Sequence, residues 1–97
     1  MQGKAVQKVE GGKLIKITVE FDDVIDDVKI MGDFFLHPEE SIKDLEKNLF
    51  GIMSDADEKT ITSILNDVIE EKNIQLIGVT AQSIAETIKK AIQNGRD

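Results

Sequence analysis

Gly11-Gly12-Lys13-Leu14-Ile15-Lys16-Ile17-Thr18-Val19-Glu20-Phe21 decides the fold. Ile15, Ile17, Val19 and Phe21 recur at every second position, the period of a half-buried strand. The Gly-Gly pair can adopt the positive φ of a tight turn, and an alternating run with Val6 precedes it. Strands over about 4–9 and 13–21 are therefore expected to pair antiparallel. Asp22-Asp23 supplies a second turn, and Val28 and Ile30 mark a third strand over about 25–31. A three-stranded meander over residues 4–31 results.

After Met31 the apolar period lengthens to that of a helix. Pro38 suits a first helical turn, Glu39 and Glu40 complement the helix dipole, and Ile42, Leu45 and Leu49 form one stripe that Gly51 closes. Asp55 or Asp57 caps a second helix, whose Ile61, Ile64, Leu65, Val68 and Ile69 carry a buried face to about Lys72. Residues 74–79 read as a short extended segment. Thr80 then caps a third helix with Ala81, Ile84, Ala85, Ile88 and Ile92 on one side, and Asn94 to Asp97 reads as a frayed tail. The order is βββ-α-α-α, an α+β fold with a small antiparallel sheet packed against a helical part over about 38–94. At 97 residues, one domain over 1–97 is expected, because a chain this short sustains a single core.

Composition narrows the function. Twelve Lys and Arg stand against 19 Asp and Glu, a net charge of −7 that repels phosphate backbones and anionic lipid, so neither nucleic acid nor membrane is an expected partner. No apolar run approaches a bilayer span and the first 20 residues hold no signal-like stretch, which points to a cytoplasmic protein. With no cysteine, neither disulfides nor thiolate metal sites are available, and a chain this small then leans on its core or on a partner.

Few residues invite a chemical role. His37 is the sole histidine and lacks visible companions for general-base or metal work. Asp55-Ala-Asp57 begins like a calcium loop, but Thr60 stands where Gly is needed and Asn66 where Glu is needed, so a helix cap is the better reading. Asp22, Asp23, Asp26, Asp27 and Asp33 are read as turn and strand-edge residues ahead of a cation cluster, and no metal is expected. No phosphate loop, GxGxxG turn or Ser-His-Asp set occurs, and no catalytic residue is assigned. Gly32-Asp33-Phe34-Phe35 stands out, with half of the four aromatics at one strand-to-helix junction. Either one Phe is exposed for contact, or Phe34 packs under the sheet while Phe35 staples the first helix.

Three pieces together carry a resemblance: Gly12-Lys13-Leu14-Ile15, Ile25-Asp26-Asp27-Val28-Lys29-Ile30-Met31-Gly32-Asp33-Phe34-Phe35, and Leu45-Glu46-Lys47-Asn48-Leu49-Phe50-Gly51. In order and spacing they resemble the C-terminal accessory domain of lipoate-protein ligases, over about Lys4 to Ile88. In that family the domain accompanies a large adenylating domain, in some members as a separate chain. The resemblance implies a non-catalytic accessory subunit that forms a heterodimer with the large catalytic subunit and enables ATP-dependent activation of lipoate to lipoyl-AMP for protein lipoylation. Gly32, Asp33, Phe34 and Phe35 would contact that subunit or shape the contact. No cofactor is expected on this chain alone, whereas the complex would use ATP, Mg2+ and lipoate. Acceptor lipoyl domains are commonly acidic in this context, so a −7 chain is expected to leave them mainly to the large subunit. Two other classes compete. One is a free-standing acidic adaptor module that uses the same aromatic junction. The other is a lipoyl carrier modified at Lys13, which lacks the flanking residues of such a site.

Overall fold

The computed structural model describes residues 1–9 and 11–97. Strands β1 (Gln2–Lys8), β2 (Leu14–Phe21) and β3 (Ile25–Gly32) form an antiparallel sheet in the order β1-β2-β3, as the alternation predicts. Lys8 lies opposite Leu14 and Gln2 opposite Glu20, while β2 meets β3 with Ile17 opposite Ile30. Gly11 and Gly12 both take positive φ, at 92° and 85°, as a turn built on them requires. Ala5, Ile15, Ile17, Val19, Phe21, Val28 and Ile30 fall on the inner face, and all are buried.

Helices α1 (Ser41–Leu49), α2 (Glu58–Glu71) and α3 (Ala81–Arg96) cover that face. Leu45 and Leu49 of α1, Ile61 and Leu65 of α2, and Ile84, Ile88 and Ile92 of α3 join the strand residues in one apolar cluster. Each such side chain stabilises the fold by about 1.5–3 kcal/mol through its removal from water. The Asp57 carboxylate accepts from the Thr60 amide at 2.8 Å and so starts α2, while Thr80 and Ser83 form a reciprocal capping box for α3. Gly51 follows α1 with φ 84°, the left-handed residue expected there, and its amide bonds to the Ile25 carbonyl at 2.8 Å, tying the helix end to β3.

Three details depart from expectation. Residues 38–40 are not yet helix: Ser41, Ile42 and Lys43 bond back three residues to Pro38, Glu39 and Glu40, a tight turn that postpones α1 to Ser41. Second, Phe35–His37 forms a strand, β4, that pairs with β5 (Gln75–Ile77) as a separate two-stranded ladder. The segment over 74–79 is thus extended because it has a partner. Finally, the C-terminus is not frayed. Asn94 donates to the Lys4 carbonyl at 2.8 Å, and the Arg96 guanidinium reaches Ser54 Oγ at 2.9 Å. Buried Ser54 in turn donates to the Asp22 carbonyl at 2.6 Å, so the end of α3 is linked to the β2–β3 turn.

Candidate interaction site

Gly32, Asp33, Phe34 and Phe35 run from the end of β3 into β4, and each does something different. A Cβ on Gly32 would collide with the Leu14 carbonyl oxygen and lie 2.8 Å from the Phe34 ring, so only glycine fits. The Asp33 carboxylate accepts the Leu14 amide at 2.6 Å, and the Asp33 amide returns a bond to the Leu14 carbonyl at 3.3 Å. This reciprocal pair extends the β2–β3 ladder by one step beyond its last strand residue.

The two phenylalanines then part. Phe34 is half-buried against the main apolar cluster, whereas Phe35 is 65% exposed. Of the two readings left open by sequence, the first is observed, with one Phe exposed, and Phe34 is the one that packs. Opposite Phe35 on the β4–β5 ladder stands Ile77, itself 52% exposed. The Lys13 ammonium lies 5.9 Å from the centre of the Phe35 ring, close enough for a weak cation–π attraction. Its stem crosses Gly78, where a Cβ would stand only 3.0 Å from Lys13 Cγ. Lys13 is therefore packed into the corner, not free at a hairpin tip.

Sequence reasoning missed Ile77. The signal was the run Ile-Gln-Leu-Ile at 74–77, in which Ile74 and Leu76 turn toward the core and Ile77 turns out beside Phe35. Exposed Leu14 and Met31 flank the same end of the sheet. Phe50 and Met53 are exposed as well, after α1, where Met53 bridges to Val24 before β3. His37, at the end of β4, stands opposite Gln75. Among the described residues the one resolved titration shift belongs to Asp57. The Thr60 hydroxyl and then the Thr60 amide hold its carboxyl below the ordinary value, which is the electrostatics of a helix cap. No described helix is long and apolar enough to cross a membrane.

The family described as the bacterial lipoate protein ligase C-terminus matches residues 4–88, most of the chain and every element of the corner just described. The chain belongs to this lipoate-protein-ligase family. A solved structure agrees in three dimensions: one chain of an archaeal lipoylation system from Thermoplasma acidophilum, comprising a bi-partite lipoate protein ligase and its E2 lipoyl domain. It shares 29% identity and a TM-score of 0.75, with 91% of this chain and 94% of that one covered, so the two chains are similar in extent. No curated protein matches the sequence. Within the ligase family, then, this is the C-terminal domain fold.

Proposed function

We propose that the chain is the accessory subunit of a two-chain lipoate-protein ligase, and that it binds a large catalytic subunit as a heterodimer to enable ATP-dependent formation of lipoyl-AMP in the cytoplasm. The observation that carries this reading is the likeness, over 91% of this chain and 94% of the other, to one chain of a bi-partite ligase at 29% identity. Its physical support is the Phe35–Ile77 corner, an apolar pair held outward on a short ladder beside a well-packed core.

Catalytic residues, ATP, Mg2+ and lipoate are assigned to the large subunit. On this chain the groove between β3 and α1, about 480 Å³, is lined by the acidic Asp26, Asp27 and Glu46 and the basic Lys29, Lys43 and Lys47. Equal numbers of both signs give no net attraction for a triphosphate. The accessory chain acts instead by binding the competent state of its partner more tightly than other states. Loops over lipoate and ATP are thereby held closed, and water is excluded from the reacting carboxylate and α-phosphate. Acceptor lipoyl domains meet mainly the large subunit.

Mixing the purified chain with the ligase's large subunit and measuring mass by light scattering during gel filtration tests the partnership. A 1:1 complex is expected. Two separate peaks at micromolar concentration would leave the free-standing adaptor as the better reading.

A further inference from the structure

Among the described residues, no element of the chain covers the outer face of the main sheet. Its side chains form rows across the strands, set by the register: Lys4, Thr18 and Lys29; then Val6, Lys16 and Met31; then Lys8 and Leu14. Residues in one row stand about 5 Å apart, so these are direct neighbours. In a chain of net charge −7, this face holds Lys4, Lys8, Lys16 and Lys29, with the Lys13 ammonium just beyond its edge over Phe35. The acids nearby gather at its two ends. Glu20, Asp26 and Asp27 lie toward Gln2, and the Asp33 carboxylate at the other end is engaged by the Leu14 amide. Val6 is 62% exposed and Met31 50%, interleaved with the lysines and followed by Leu14 and the Phe35–Ile77 corner.

We infer that this outer sheet face, continuous with the Phe35–Ile77 corner, is the surface that meets the catalytic subunit, and that it meets a carboxylate-rich, partly apolar surface there. The inference rests on the two-chain ligase reading and specifies its interface. Four ammonium groups on one face of an acidic chain define the sign of the partner, because like charge would repel it and opposite charge both steers and registers it. The apolar residues decide between a lasting and a passing partner. Lysines alone would suffice to attract an acidic acceptor domain for one turnover, whereas Val6, Leu14, Met31, Phe35 and Ile77 together form an anchor that gains from permanent removal from water. Lysine stems lie along such a surface without leaving their charge unpaired, provided that carboxylates face them. The helical side of the molecule displays Asp67, Glu70 and Glu71 together with Lys72 and Lys90, and so presents no single sign of charge.

The test is calorimetric titration of the catalytic subunit with the wild-type chain, with the triple variant Lys4→Glu, Lys16→Glu, Lys29→Glu, and with a control, Lys72→Glu with Lys90→Glu, on the helical side. At about 50 mM salt the triple variant should bind roughly 100-fold more weakly and the control within about twofold of wild type. The wild-type affinity should fall on raising salt to about 300 mM. Should the triple variant not fold, the pair Lys16→Gln and Lys29→Gln should still cost roughly tenfold in affinity. No binding by the wild-type chain would overturn the subunit reading itself. A wild-type complex indifferent to reversal of the three lysines would overturn only the assignment of this face. An unchanged complex whose triple variant had lost contact with an acceptor lipoyl domain would overturn it too, and give the face to the acceptor.

Discussion

The Leu14 amide donates to the Asp33 carboxylate at 2.6 Å while the Asp33 amide donates to the Leu14 carbonyl at 3.3 Å. A side chain thereby takes the place of a strand partner where β3 turns away toward β4. Asp33→Ala leaves the Leu14 amide without that acceptor and is expected to lower unfolding free energy by about 1 kcal/mol, read by urea denaturation. Asp33→Asn keeps an acceptor oxygen and should recover part of the loss.

Gly32→Ala tests the same junction from the backbone side. The added methyl would meet the Leu14 carbonyl and the Phe34 ring, neither of which can withdraw without opening the ladder. A destabilisation of about 2 kcal/mol or more is expected in the same denaturation experiment.

Phe34 and Phe35 are adjacent in sequence but should behave oppositely. Phe34→Ala removes a half-buried ring from the core and is expected to cost about 2 kcal/mol in stability. Phe35→Ala should change unfolding by less than about 0.5 kcal/mol, since the ring is 65% exposed. It should instead weaken the complex with the catalytic subunit by roughly tenfold, and Ile77→Ala should do likewise.

The cap of α2 predicts a pH dependence. Because Thr60 holds the folded-state pKa of Asp57 below its ordinary 3.8, the carboxylate contributes stability that is fully present above that value and is lost as pH falls through the folded pKa. Asp57→Ala should therefore melt below wild type at neutral pH. The gap should close as the pH of the melt is taken down through the acidic limb below 3.8.

Strand alternation from Ile15 to Phe21 and the stripes of α2 and α3 made the main sheet and its helical cover legible in sequence, since a half-buried element repeats one signal many times. Short elements offer no such repetition. Phe35–His37 and Gln75–Ile77 are three residues each and become strands only by pairing across a long stretch of chain, which no local pattern announces. The same holds for the end of α3, whose Asn94 and Arg96 look like a polar tail until Lys4 and Ser54 are beside them. At the candidate site, Gly32 and Asp33 hold the end of the ladder, a backbone role that the motif Gly32-Asp33-Phe34-Phe35 does not spell out in sequence. Net charge, by contrast, misdirects: −7 overall conceals a lysine-bearing sheet face, because alternation sorts Lys4, Lys8 and Lys16 to the side opposite the core.

The central question is whether this chain enables lipoate activation by another. The direct measurement is lipoyl-AMP formation by the large subunit, supplied with lipoate, ATP and Mg2+, with and without the purified chain. Adenylate that accumulates only when both chains are present, saturating at a 1:1 ratio, is the predicted result. Equal adenylate formation in its absence would contradict the account.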